Sequence, residues 1–169
     1  LQRYADFMDR HPSVGFCTSR VLTQYNGIRT DTSLPSAEAM RRMTFDNFLV
    51  GNAQIHAQAF FIRRSVFLKY VDFEMFAKRY SLWDYPIILT LINHTKFHQL
   101  PIYTAVFHIS DESTTMTRSR ARRLKYILGQ YNIKASFIMK YGRKPKTLAR
   151  ITYKFARDMY SIAFARWYK

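Results

Sequence analysis

Apolar residues at positions 1, 4, 5 and 8 of Leu1-Gln2-Arg3-Tyr4-Ala5-Asp6-Phe7-Met8 recur at helical spacing, and Pro12 ends the pattern. The chain is therefore predicted to open on a helix. Residues 14–18 and 21–25 read as two short strands joined near Ser19-Arg20, and Asn26-Gly27 supplies a turn after them. Thr44 is placed to cap a short helix carrying Phe45, Phe48 and Leu49, which Gly51-Asn52 terminates. Residues 57–62 form a buried-strand candidate and residues 63–70 a helix after it. A further helix over 84–94 and a strand over 102–109 follow. From Arg118 the pattern is helical to Tyr141, with Leu124, Ile127, Leu128, Tyr131, Ala135 and Ile138 on one face; residues 142–145 break it, and a last helix runs to the end. These elements predict an α/β fold with a C-terminal helical tail.

Composition narrows the picture. A chain of 169 residues, 48% hydrophobic and 17% aromatic, is long and apolar enough for one sizeable core. Its single cysteine, Cys17, excludes an internal disulfide and a multi-cysteine zinc site, and fits a reducing compartment. No apolar run approaches the roughly 18 to 20 residues that span a bilayer.

The net charge of +16 is unevenly placed. Residues 1–117 hold 12 Lys or Arg against 10 acids, whereas residues 118–169 hold 15 against the single acid Asp158. The last third is a basic extension, and an anionic partner is expected for it: lipid head groups, a nucleotide diphosphate or nucleic acid. Nucleic acid is the weakest of the three, since no reader motif is present. In residues 145–169 Leu148, Ile151, Phe155, Met159 and Ile162 share one helical face, opposite Arg150, Lys154 and Arg157. Tyr153, Tyr160, Trp167 and Tyr168 add amphipathic rings. Such a helix suits an anionic membrane surface and equally suits docking on its own domain.

Chemistry concentrates at Ser81-Leu82-Trp83-Asp84-Tyr85-Pro86. One carboxylate stands between two aromatic rings at the head of an apolar run. An Asp before a Pro in a first helical turn reads equally as a helix cap and as an acid–base group, and the two roles are compatible. Asp72-Phe73-Glu74 imitates a metal motif, but its alternation of charged and apolar residues suits a solvated helix or loop. Arg118, Arg120, Arg122, Arg123 and Lys125 crowd the start of a helix, against its dipole. That is either a solvated charge run or the mark of an anion nearby.

The order of these pieces carries a resemblance. The opening helix, the strand after Pro12, Phe48-Leu49-Val50-Gly51-Asn52, Ile62-Arg63-Arg64, Trp83-Asp84-Tyr85-Pro86, Phe107-His108-Ile109 and Glu112-Ser113 together resemble the acceptor-side half of inverting family-2 glycosyltransferases. The resemblance implies a partial GT-A-type mixed sheet with flanking helices over residues 1–117, with 118–169 as an extension. It implies that the nucleotide-binding half, with its Asp-x-Asp motif, is missing from this chain, and that the chain alone is an inactive fragment.

The implied reaction moves a sugar from a nucleotide-sugar donor to a saccharide or lipid-linked acceptor, as in polysaccharide synthesis for a cell envelope. Asp84 is implied as general base, with Trp83, Tyr85, Asn52 and His56 at the acceptor. Arg118, Arg120, Arg122 and Ser113 are implied at the diphosphate. A divalent metal, Mg or Mn, is expected for the intact enzyme, with His108 as a ligand candidate beside Asp111 and Glu112. By its residue type alone Asn52 reads sooner as a left-handed helix terminator, and His108 sooner as a structural or idle histidine at a strand end. The implied setting is cytoplasmic, with the tail at the inner face of a membrane. The alternative is a non-catalytic basic module for a membrane surface or a protein partner.

Overall fold

A computed structural model of the chain describes residues 1–31, 35–51, 55–80, 82–110, 119–142 and 145–164. Helix α1 (Gln2–Arg10) buries Tyr4 and Met8 in a small cluster with Val14, Cys17 and Leu100. The Tyr4 hydroxyl ties this helix down, lying 3.0 Å from both the Ala59 carbonyl oxygen and the Thr104 hydroxyl.

Strand β1 (Val14–Tyr25) is one strand of twelve residues, where the sequence pattern predicts two. The polar Ser19-Arg20 step, read as a join, is instead where the register against a neighbouring strand slips. A bulge of this kind absorbs an irregular residue without ending the strand. Neighbouring strands meet its polar side chains: Ser19 meets the Thr104 hydroxyl, and Arg20 pairs with Asp31 and lies 4.7 Å over the Tyr103 ring. Asn26 and Gly27, both with positive φ, turn the chain into β2 (Ile28–Asp31), which returns antiparallel to β1. Two successive left-handed residues are what a tight hairpin requires.

On the same edge of β1, β3 (Phe61–Ile62) pairs antiparallel with Phe16 and Cys17. The strand expected over 57–62 shrinks to these two residues. Residues 57–59 form a 3-10 turn, and the Ala59 carbonyl is taken by Tyr4, which removes it from the ladder. The other edge of β1 carries β4 (Lys96–His108) in parallel, six residues longer at its start than predicted. The sheet is mixed and four-stranded, and with its helices the protein is α/β. Where β1 begins, Gly15 passes so close to Thr95 that a Cβ would collide with its side chain.

The helices cover the sheet. Helix α2 (Ser36–Arg42) carries no sequence signal noted above; α3 (Phe45–Val50) starts on the Thr44 hydroxyl, which accepts from the Asn47 amide, and ends on Gly51 at φ 80°. Helix α4 (Arg64–Tyr70) precedes α5 (Phe73–Arg79), whose N-cap is Asp72, accepting from the Met75 amide. Asp72-Phe73-Glu74 is thus a helix start. Helix α6 (Asp84–His94) is buried from Pro86 to Leu91. Helix α7 (Arg120–Tyr141) ends at Gly142, φ 63°, and α8 (Pro145–Phe164) closes the described chain.

One cluster joins Phe16 of β1, Leu49 of α3, Leu89 and Leu91 of α6, Ile133 and Phe137 of α7, and Ile151 of α8. The buried face of α7 therefore runs through Ile127, Ile133 and Phe137, and Leu128, assigned to it from the sequence, is 46% exposed. The rotation follows from α7 packing against two neighbours, the domain on one side and α8 on the other.

Candidate functional site

A cleft of about 540 Å³ opens between the C-terminal end of the sheet and α7. That volume is in the range of pockets for small molecules. Its lining comes from four places: Gly51, Ile55 and His56 after α3; Tyr85 at the start of α6; Phe107 and Ile109 at the end of β4; and Tyr126, Gln130 and Lys134 on α7, with Thr23 and Phe48 completing it. Three of these four are segments that the sequence reading singled out. They are remote in the chain and meet because β4 ends beside the Gly51 turn and α6 crosses behind it.

Asp84 is the first residue of α6, with Trp83 as the N-cap, so its carboxylate is in the first turn and is not the cap. One carboxylate oxygen accepts from the Tyr85 amide at 2.9 Å. Among the described residues the other has no hydrogen-bond partner. Asp84 is half-buried and adjoins the lining residue Tyr85 without itself lining the cleft, and its charge acts on Tyr126.

Tyr85 divides its roles. Its hydroxyl donates to the Phe48 carbonyl at 3.0 Å, with the Leu49 carbonyl at 3.4 Å, so the polar end is committed to the end of α3 while the ring lines the cleft. Burial pushes its hydroxyl well above the usual phenol range. Trp83 is 48% exposed and meets Phe73 edge-on at 5.5 Å; it is not among the lining residues.

His56 is half-buried, with its ring 5.5 Å from Phe107, and burial lowers its pKa, which keeps the imidazole neutral at pH 7. Tyr126 accepts from Gln130 Nε2 at 2.7 Å, so its own O–H proton is left for the cleft. Burial first, and then the Asp84 charge, raise its pKa and keep that proton in place.

The remaining candidates divide by position. Arg120 and Arg122 are exposed in the first turn of α7, with Arg122 one turn ahead of Tyr126 on the same stripe of the helix. His108 is exposed at the end of β4, between the lining residues Phe107 and Ile109. Asn52, Ser113 and Arg118 lie outside the described residues, as do Asp111 and Glu112. Among the described residues no three His, Cys, Asp or Glu groups come together as a metal site. The divalent metal implied by the resemblance finds no donor set among the described residues.

Lys134 was missed by the sequence reading. It is 5% exposed, lines the cleft, and its ammonium lies 4.5 Å from the Tyr131 ring. Read by periodicity, a lysine between Ile133 and Ala135 is one more solvated cation in a basic helix. The signal that could have found it is the series Arg122, Tyr126, Gln130, Lys134, every fourth residue along one polar stripe facing an apolar one.

The extension packs on the domain. Of the predicted apolar face of α8, Ile151 and Ile162 are buried, Phe155 and Met159 half-buried and Leu148 exposed, and Lys154 donates to the Gly51 carbonyl at 3.5 Å. Tyr153, Tyr160 and Phe164 remain exposed on the other side, which also carries Lys146 and Arg150. Among the described residues no helix is long and apolar enough to cross a membrane. No family model, curated protein or solved structure matches the chain.

Proposed function

We propose that the chain is the acceptor-side part of an inverting glycosyltransferase of GT-A type, with Asp84 as the general base. The observation that supports this reading is the convergence of Gly51, Ile55 and His56, of Tyr85 at the start of α6 and of the end of β4 on one cleft, with the Asp84 carboxylate next in the chain to the lining residue Tyr85. An acceptor hydroxyl is a weak nucleophile. A carboxylate within hydrogen-bond reach takes its proton as the oxygen bonds to the anomeric carbon, while the bond to the nucleoside diphosphate breaks and its electron pair leaves with the diphosphate.

The other groups suit an acceptor sugar. Tyr85, Phe107 and Phe48 offer ring surface for its apolar face, and neutral His56, Tyr126 and Thr23 offer hydrogen bonds to its hydroxyls. Arg120 and Arg122, exposed in the first turn of α7, would supply fixed positive charge to a departing diphosphate. In an enzyme that also carries the nucleotide half, Asp84→Asn is expected to lower kcat by at least about 100-fold with unchanged donor binding. Turnover within a few-fold of the parent would sink the assignment.

A second reading has its own observation, the outward face of α8. Tyr153, Tyr160 and Phe164 beside Lys146 and Arg150 suit an anionic membrane surface, where rings enter the interface and cations meet head groups. Co-sedimentation with phosphatidylglycerol vesicles, against phosphatidylcholine, tests it. Binding is expected to depend on the anionic lipid and to fall several-fold when the three rings are changed to serine; equal binding to both vesicles removes this reading.

A further inference from the structure

Lys134 poses a problem that the proposed chemistry does not solve. A buried ammonium is costly unless a counter-charge or acceptors accompany it. Among the described residues this one makes no hydrogen bond or ion pair; the Tyr131 ring lies 4.5 Å away, and the ammonium is not sealed in but opens on the cleft. The acid closest to it in electrostatic effect, Asp158, is already engaged, accepting from the Tyr131 hydroxyl at 3.1 Å and pairing with Arg157 at 3.0 Å.

A second cation adds to the imbalance. Lys154 reaches the Gly51 carbonyl at the cleft wall and repels Lys134. Burial, followed by this repulsion, pushes the Lys134 ammonium down to about 8, with Asp158 acting in the opposite direction. The α7 end of the cleft is thus lined by a positive charge that, among the described residues, makes no ion pair.

We propose that this end of the cleft binds an oxyanion, the carboxylate or phosphate of an acidic saccharide, with Lys134 as its counter-charge and Gln130 and Tyr126 as neighbouring polar contacts. The saccharide part rests on the acceptor reading given above; the oxyanion part rests on Lys134. An anion would supply Lys134 with a counter-charge, and a neutral sugar would not. Lys134 thereby becomes a specificity residue, selecting an acidic acceptor over a neutral one.

Calorimetric titration of the chain at pH 7 and low salt, with glucuronate, glucose 6-phosphate, inorganic phosphate and glucose as probes, tests this. Glucuronate or glucose 6-phosphate is expected to bind at least about tenfold more tightly than either glucose or inorganic phosphate, and Lys134→Met is expected to erase the preference over glucose. Urea unfolding of the same variant verifies that it is folded. If glucose binds as well as the acidic sugars, or if Lys134→Met leaves their affinity unchanged, the oxyanion site is overturned while the acceptor reading stands. If inorganic phosphate binds as tightly as the acidic sugars and both are lost in Lys134→Met, the oxyanion site stands and the saccharide reading of the cleft fails.

Discussion

At the scale of single residues, the cleft couples binding to stability through Lys134. Its pKa is held at about 8 in the folded chain, against 10.5 for an unperturbed lysine, so the unfolded chain binds this proton more tightly. Below pH 8 both states hold the proton and the whole penalty is present. As pH rises above 8 the folded state releases it first, and stability increases. Lys134→Met is accordingly expected to be more stable than the parent at pH 7, by up to about 3 kcal/mol, and to lose that advantage progressively towards pH 10. Urea unfolding of both proteins at pH 7 and 9.5 measures it. A residue retained at such a cost fits a site that selects its ligand.

Gly15 makes the opposite point, since its role is purely steric. Gly15→Ala drives a methyl group into Thr95 and is expected to destabilise the fold by about 1–3 kcal/mol, seen as a lowered thermal midpoint. Neither residue announces itself in the sequence. Lys134 is one of 27 Lys or Arg, and its burial depends on where α7 docks; Gly15 sits in an ordinary β pattern, and its neighbour Thr95 lies eighty residues away.

At the scale of elements, what was legible is what is encoded locally. Thr44 and Gly51 bound α3 through their own backbone and side-chain chemistry, Asn26-Gly27 makes its hairpin, and α6 begins at Asp84 and ends at His94 as its pattern predicts. Strand β1 was misread because Ser19 and Arg20 look like a loop until Thr104, Asp31 and Tyr103 are brought to them by other strands. The face of α7 was misread for the same reason: periodicity gives a stripe, and its partner decides which edge of that stripe is buried.

The bond between α6 and α3 offers a test at this scale. Tyr85→Phe removes the hydroxyl that reaches the Phe48 carbonyl, leaving the ring in the cleft. A loss of about 1 kcal/mol in unfolding free energy is expected, with the affinity for a saccharide probe unchanged within about twofold. A large affinity loss would instead place the hydroxyl itself at the ligand.

At the scale of the whole molecule, the charge boundary near residue 118 does not mark a boundary in packing. Ile133, Phe137 and Ile151 belong to the same cluster as Phe16, Leu49 and Leu89, so the basic extension helps to complete the core that supports the cleft. Ile151→Ala is expected to lower the unfolding free energy by about 2–4 kcal/mol in one cooperative transition. An unfolding curve that splits into two steps would show instead that α8 is a separable unit.

The β1–β4 ladder determines how such a molecule comes together in time. Val14 pairs with Lys96 and Gln24 with His108, so each rung closes a loop of about 80 residues before it gains anything. The hairpin of β1 and β2 and the individual helices can form early, but the cleft has no wall until this long closure is complete. Refolding should therefore be slow for a chain of this length, and ligand binding should appear only in its last phase.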